Sequence, residues 1–129
     1  MTENVFVYGT LKQGYGNYPV MERAEGQLIS KAHTDGKKYD LYDLGPYPAV
    51  VKGKFSIIGE LYVVEDLKPL DRLEGYPRFY NREKTKVWGL GEHIYDSWYA
   101  WIYFIEDAET LYQYQQSKVK TAGYTKEWI

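Results

Sequence analysis

The chain has 129 residues, a formal net charge of −2, a pI near 5.7 and no cysteine, which excludes disulfides and thiolate metal sites. Its lysines and arginines are scattered, without the basic face and high pI of a nucleic-acid binder. No basic leader precedes an apolar stretch and no apolar run approaches the ~18 residues of a membrane span, so a single cytoplasmic domain over residues 1–129, with no membrane partner, is expected.

Residues 5–8, V-F-V-Y, read as a short buried strand that breaks into a glycine-rich loop over 9–18. Pro19 suits the first turn of a short helix over 19–24. Residues 26–33 and 38–44 read as two strands, and the Thr34-Asp35-Gly36 turn between them predicts a hairpin. Gly45-Pro46-Tyr47-Pro48 forces a rigid loop. Residues 55–64, F-S-I-I-G-E-L-Y-V-V, form the next strand, and 66–75 switch to helical spacing. Asp66 is placed as N-cap and Gly75 as the C-terminal stop. Strands follow over 80–88 and 97–105, the latter apolar on both faces and expected to be buried on both sides. A C-terminal helix is expected over 107–117, with the remainder fraying. Six strands that do not alternate regularly with two or three helices predict an α+β fold with a mixed, mostly antiparallel sheet.

Gly9-Thr10-Leu11-Lys12-Gln13-Gly14 has the first part of a P-loop spacing, but Tyr15 and Gly16 stand where Lys and Ser/Thr belong. Gly14-Tyr15-Gly16 starts a dinucleotide pattern, but Pro19 occupies the third glycine position. Nucleotide binding is rejected. The loop is either a set of accessible backbone N–H groups for a carboxylate or oxyanion, or a connector whose glycines serve turns. Fifteen tyrosines and four tryptophans carry a similar pair of readings: a β-rich fold, or a pocket lined by rings with hydroxyl tips.

His33 and His93 have no Ser-x-Gly elbow and no H-E-x-x-H spacing, so they read as surface residues. Carboxylates are better candidates. In D-L-K-P-L-D-R-L-E-G-Y-P, Leu67, Leu70 and Leu73 mark the apolar face, and Glu74 falls on or beside it. Partial burial, the helix C-terminus and nearby Asp71 would all raise its pKa into the range of a general acid/base. The other reading is a boundary glutamate that reaches water or pairs with Lys12, Arg78 or Arg82. Glu60, in I-I-G-E-L-Y, is a rival catalytic group or a structural acceptor.

Y-G-T-L-K at 8–12, Y-P-A-V at 47–50, G-E-L-Y at 59–62 and L-D-R-L-E-G-Y with Y-N-R over 70–82 resemble, in this order, the γ-glutamyl cyclotransferase-like family. The similarity is greatest to its short γ-glutamylamine cyclotransferase type. The resemblance implies a small β-barrel with flanking helices and a pocket at its mouth. It implies that Tyr8, Gly9, Thr10 and Leu11 grip a γ-glutamyl group, that Tyr47, Pro48 and Tyr80 line the pocket, and that Glu74 is the catalytic acid/base. The implied reaction is attack of the substrate's α-amino group on its own side-chain carbonyl, releasing 5-oxoproline and an amine. No cofactor or metal is expected, the partner is a small γ-glutamyl molecule, and the chain is a monomer or weak homodimer. Close family members often show Asn-His where this chain has Asn17-Tyr18, which leaves the leaving group open. The alternative is a non-catalytic γ-glutamyl or 5-oxoproline-binding module on the same fold.

Overall fold

The computed structural model describes residues 1–107, 109–111 and 113–129. In chain order it contains β1 (Glu3–Val7), α1 (Tyr18–Arg23), β2 (Gln27–Thr34), β3 (Tyr39–Asp43), β4 (Pro48–Lys52), β5 (Ser56–Val64), α2 (Lys68–Glu74), β6 (Asn81–Gly89), β7 (Ser97–Phe104), β8 (Val119–Ala122) and β9 (Thr125–Trp128). Single 3₁₀ turns occupy Gly91–His93 and Glu109–Leu111.

Five strands close into a barrel in the order β1-β7-β6-β2-β5, with β5 pairing back onto β1. Only the β1–β7 pair is parallel within the barrel, so the sheet is mixed and mostly antiparallel, as expected. Closure removes the edges that an open sheet would leave to solvent. Strand β5 is long enough to serve two partners on one side: its second half pairs with β1 and its first three residues pair, in parallel, with β9.

Alternation along β1 sorts the core into two parts. Phe6 joins Ala32, Leu61, Val87, Ala100 and Ile102, one or more residues from every barrel strand, in the barrel interior. Tyr39, Leu41 and Val50 of the β3–β4 hairpin plug the same cluster. Val5 and Val7 face the other way and pack with Val20 and Met21 of α1 and Leu70 of α2. Both helices therefore lie against the outside of the barrel next to β1.

The six expected strands are present, and three more were not read. β4 begins at Pro48, whose missing N–H is tolerated as the first residue of a strand. The β8–β9 hairpin replaces the expected fraying, with Trp128 only 4% exposed. The Asp-Gly turn does not join β2 to β3 as partners: β2 pairs with β5 and β6, and β3 with β4. In place of a helix over 107–117 there is the single turn at Glu109–Leu111; Ala108 and Tyr112 lie outside the described residues. Strand β7 is not buried on both faces, since Ser97 and Tyr99 are exposed and Trp98 and Trp101 half-buried.

Gly59, in the middle of β5, is a steric necessity. A Cβ there would lie on the Val7 carbonyl oxygen and 2.8 Å from Phe6 Cζ, beside the end of the β1–β5 pairing. Gly59→Ala is expected to lower the melting temperature by roughly 5–10 °C, the scale of core overpacking in a domain of this size, measurable by thermal unfolding followed by circular dichroism.

Candidate active site

A cavity of about 370 Å³ opens beside the C-terminal end of β1. Its walls come from the end of β1 and the loop after it, the tip of the β3–β4 hairpin, the end of α2 with the segment following it, and Tyr103 of β7. All eight residues singled out in the sequence line it: Tyr8, Gly9, Thr10, Leu11, Tyr47, Pro48, Glu74 and Tyr80.

The loop is folded by its own hydrogen bonds. Lys12 N–H donates to the Gly9 carbonyl at 3.1 Å, and Asn17 N–H to the Thr10 carbonyl at 2.9 Å. Asn17 Nδ2 donates to Thr10 Oγ1 at 2.8 Å. Gln13 N–H donates to Glu60 Oε1 at 2.8 Å, which also accepts Tyr62 O–H at 2.8 Å. Glu60 is thus a structural acceptor that pins the loop to β5. The N–H groups of Gly9, Thr10 and Leu11 are not donors in any of these bonds, and all three residues face the cavity. Gly9 is needed for a different reason than turn geometry: a Cβ there would sit 2.6 Å from Pro48 Cδ and Cγ. The bare backbone lets the hairpin close against the loop.

Glu74 is the last residue of α2. Leu67 and Leu70 pack against the outer core as read from their spacing, but Leu73 is 39% exposed and lines the cavity mouth instead. Asp66 Oδ1 accepts Lys68 N–H at 2.9 Å, capping the helix one residue before its formal N-cap, Leu67. Gly75 ends it in the left-handed conformation at φ 65°, and a Cβ there would crowd Phe79 Cβ at 3.2 Å. The stop turns the chain so that Tyr80 N–H returns to the Glu74 carbonyl at 3.2 Å.

The Glu74 carboxyl is half-buried and, among the described residues, makes no ion pair or hydrogen bond. Lys12 donates to the Trp128 carbonyl and Arg82 to Asp71, so neither is its partner. Burial raises the Glu74 pKa to about 7. Burial is the cause of that shift, where the sequence reading also invoked Asp71; that carboxylate is engaged elsewhere. Arg82 meets it through two bonds, Nε–Oδ1 at 2.9 Å and Nη2–Oδ2 at 3.2 Å, and Tyr103 O–H donates at 2.6 Å. The Arg82 guanidinium lies 4.3 Å from the ring centroids of both Tyr76 and Trp101.

The tyrosines around Glu74 are committed donors. Tyr8 O–H donates to the Tyr103 carbonyl at 2.7 Å and Tyr80 O–H to the Pro48 carbonyl at 2.7 Å. Burial raises the phenols of Tyr8, Tyr80 and Tyr103 above the ordinary tyrosine value, and the charge of Glu74 adds to this at each. They stay protonated, and Glu74 is the cavity group able to exchange a proton near neutral pH. Tyr47 and Phe79 form an exposed rim, with ring centroids 6.3 Å apart.

Sequence reading missed Phe6, Val7, Asn17, Leu73, Phe79 and Tyr103 in the lining. Phe6 and Val7 belong to β1, and Tyr103 was available from the alternation of β7, which puts it on the face opposite Phe104; Asn17, Leu73 and Phe79 lie at loop and helix ends with no periodic signal. Tyr18 packs against Tyr62 with ring centroids 6.4 Å apart and is not part of the lining. Among the described residues there is no group of three or more His, Asp or Glu side chains placed to hold a metal ion, and no helix is long and apolar enough to cross a membrane.

Residues 5–128 match the family described as Gamma-glutamyl cyclotransferase, AIG2-like. A Vibrio cholerae protein provisionally described as a gamma-glutamylcyclotransferase is 37% identical over 114 residues, covering 87% of this chain and 90% of that protein. A Bos taurus gamma-glutamylaminecyclotransferase is 35% identical over 101 residues, 64% of this chain and 55% of that protein. The crystal structure of an AIG2-like protein from Mus musculus superimposes with a TM-score of 0.77 at 27% identity, covering 89% of this chain and 85% of that one. The chain belongs to the gamma-glutamyl cyclotransferase, AIG2-like family.

The Glu74 shift has a consequence for stability. The folded carboxyl titrates near 7 and the unfolded one near 4.5, so the folded state holds the proton more tightly. The associated stability is fully present below the unfolded pKa, declines as pH rises toward 7, and is absent above it. Urea unfolding at pH 8 is expected to find Glu74→Gln more stable than the wild type by roughly 2 kcal/mol, a gain that disappears at pH 4.

Proposed function

From membership of that family and the chemistry of the cavity, we propose that the chain is a γ-glutamyl cyclotransferase that converts a γ-glutamyl amine or small γ-glutamyl peptide to 5-oxoproline and a free amine. The observation that carries this reading is Glu74: a carboxyl without an ion-pair partner among the described residues, with a pKa raised to about 7, in the same cavity as the Gly9–Leu11 backbone. The names of the bovine and Vibrio cholerae relatives support the same chemistry.

The substrate is bound folded on itself. Its α-amino nitrogen lies against its side-chain carbonyl, so the reaction is intramolecular and the protein's first task is positioning. The Glu74 carboxylate removes one proton from the α-ammonium and releases it to water. The amine then attacks the carbonyl carbon, the C–N bond of the ring forms, and the carbonyl electrons move onto oxygen. N–H groups of Gly9, Thr10 and Leu11 hold that oxyanion or the substrate carboxylate. Glu74 takes the second proton from the ring nitrogen and hands it to the departing nitrogen as the carbonyl re-forms and the old C–N bond breaks. The raised pKa suits both halves of this exchange, because the group is neither a permanent anion nor a permanent acid near pH 7. Tyr47 and Phe79 at the mouth lie on the path of the leaving amine, and Tyr8 and Tyr80 shape the wall through their fixed hydroxyls.

The test is 5-oxoproline release from γ-glutamyl amides and dipeptides. The kcat/KM of the wild type is expected to rise with pH and bend near 7, and Glu74→Gln to lose about 10²–10⁴-fold while remaining folded. Gly9→Ala, which pushes Pro48 away from the loop, is expected to lose roughly 10–100-fold. Wild-type rates in Glu74→Gln would overturn the assignment.

A further inference from the structure

Lys12 is 5% exposed, a burial that lysine almost never reaches unless its charge is matched. It does not line the cavity, so it is not a substrate ligand. Its ammonium donates to the Trp128 carbonyl in β9 at 2.7 Å and lies 4.5 Å from the Tyr15 ring centroid. Burial pulls its pKa below the ordinary lysine value, with the charges of Glu127 and Glu60 acting against that. An ammonium kept out of water for one carbonyl and one ring has a cost that needs a reason.

The reason lies in what β9 and the segment leading into β8 hold on the other side. Asp43, at the end of β3, is 3% exposed and accepts Lys118 N–H at 2.9 Å, Ser117 O–H at 3.2 Å and Trp128 Nε1–H at 3.5 Å. Lys118 Nζ donates to the Gly45 carbonyl at 2.7 Å, in the turn that leads to Tyr47 and Pro48. Lys126 Nζ meets Asp40 of β3 at 2.7 Å. Meanwhile Tyr15 packs on Trp128 with centroids 5.6 Å apart and donates to the Ile129 carbonyl at 3.3 Å. The β8–β9 hairpin lines no part of the cavity, yet it grips both walls: the substrate loop through Lys12 and Tyr15, and the β3–β4 hairpin through Asp43, Asp40 and Gly45.

We propose that the β8–β9 hairpin is a brace that sets the width of the cavity, with Lys12 and Asp43 as positioning residues on its two sides. They act through the Gly9–Leu11 backbone and Pro48, not on the reacting atoms. The kinetic part of this inference rests on the cyclotransferase reading; the mechanical part does not.

The experiment combines steady-state kinetics with amide hydrogen exchange. Lys12→Met keeps the aliphatic stem and removes the ammonium. It is expected to raise KM for a γ-glutamyl dipeptide about tenfold and change kcat less than about threefold, as follows if the loop N–H groups hold the substrate carboxylate, a contact made in ground and transition states alike. Lys12→Arg, which restores a donor, should recover most of the loss. In the folded variant, exchange at Gln13 and Asn17 should quicken while β6 and β7 keep wild-type protection. Asp43→Asn on the opposite side is expected to move KM in the same direction. A folded Lys12→Met with wild-type KM and wild-type loop exchange overturns the proposal. If that variant does not fold, unchanged KM and loop exchange in both Asp43→Asn and Tyr15→Phe overturn it. If the wild type releases no 5-oxoproline, the proposed function fails, and loop exchange alone decides the brace.

Discussion

The Arg82–Asp71 pair is the joint on which the cavity depends. Helix α2 has seven residues, too few to hold a direction by itself, and Glu74 sits at its very end. Asp71 lies one turn earlier, and Arg82 of β6 takes it with two nitrogens of a planar fork. A fork of this kind fixes orientation as well as distance, which a lysine could not do. The guanidinium also lies 4.3 Å from the ring centroids of Tyr76 and Trp101, and Tyr103 of β7 adds a third bond to the same carboxylate. The helix is thereby locked to two barrel strands within one turn of the candidate catalytic group.

That joint also decides the electrostatics. With Asp71 satisfied by Arg82 and Tyr103, no unmatched carboxylate and no cation among the described residues perturbs Glu74. Its proton affinity follows from burial alone. The surrounding phenols finish the arrangement. Each donates its proton to a fixed acceptor, so the rings form a firm apolar wall with no competing acid. The tyrosine excess serves both readings raised by composition: Tyr39, Tyr42, Tyr62 and Tyr103 pack from strands, and Tyr8, Tyr47, Tyr80 and Tyr103 line the cavity.

Where local patterns decide structure, the sequence was legible. Alternation and apolar runs marked the five barrel strands and β3, and Gly75 marked the end of α2 because a left-handed residue turns the chain there. The i, i+3, i+4 spacing placed Glu74 at the edge of the apolar face, and it is half-buried. Leu73, on the same spacing, went the other way, because a seven-residue helix docked by Leu67 and Leu70 leaves its last turn overhanging the cavity. Elements defined by distant partners were not legible. β4 hid behind two prolines, and β8 and β9 are short polar strands that exist because β5 offers three residues of free edge and Asp43 offers a carboxylate. The Thr34-Asp35-Gly36 turn illustrates the reverse error: a hairpin signal whose flanking strands found other partners in the closed barrel.

From the amino acids alone came the strands and helices with strong periodicity, the absence of thiol chemistry, the rejection of phosphate binding at Gly9–Gly14, and the order of motifs that placed the chain in its family. These depend on residues near one another in the chain or on their types. Tertiary structure decided what those residues touch. It made Glu60 a structural acceptor, committed Lys12 and Arg82 elsewhere, left Glu74 to burial, and brought Gly9 against Pro48 from a distant part of the chain. The physical reason is that a proton affinity, a cavity width and a close backbone approach are set by how strands close on one another, and barrel closure is a long-range property that no local pattern encodes.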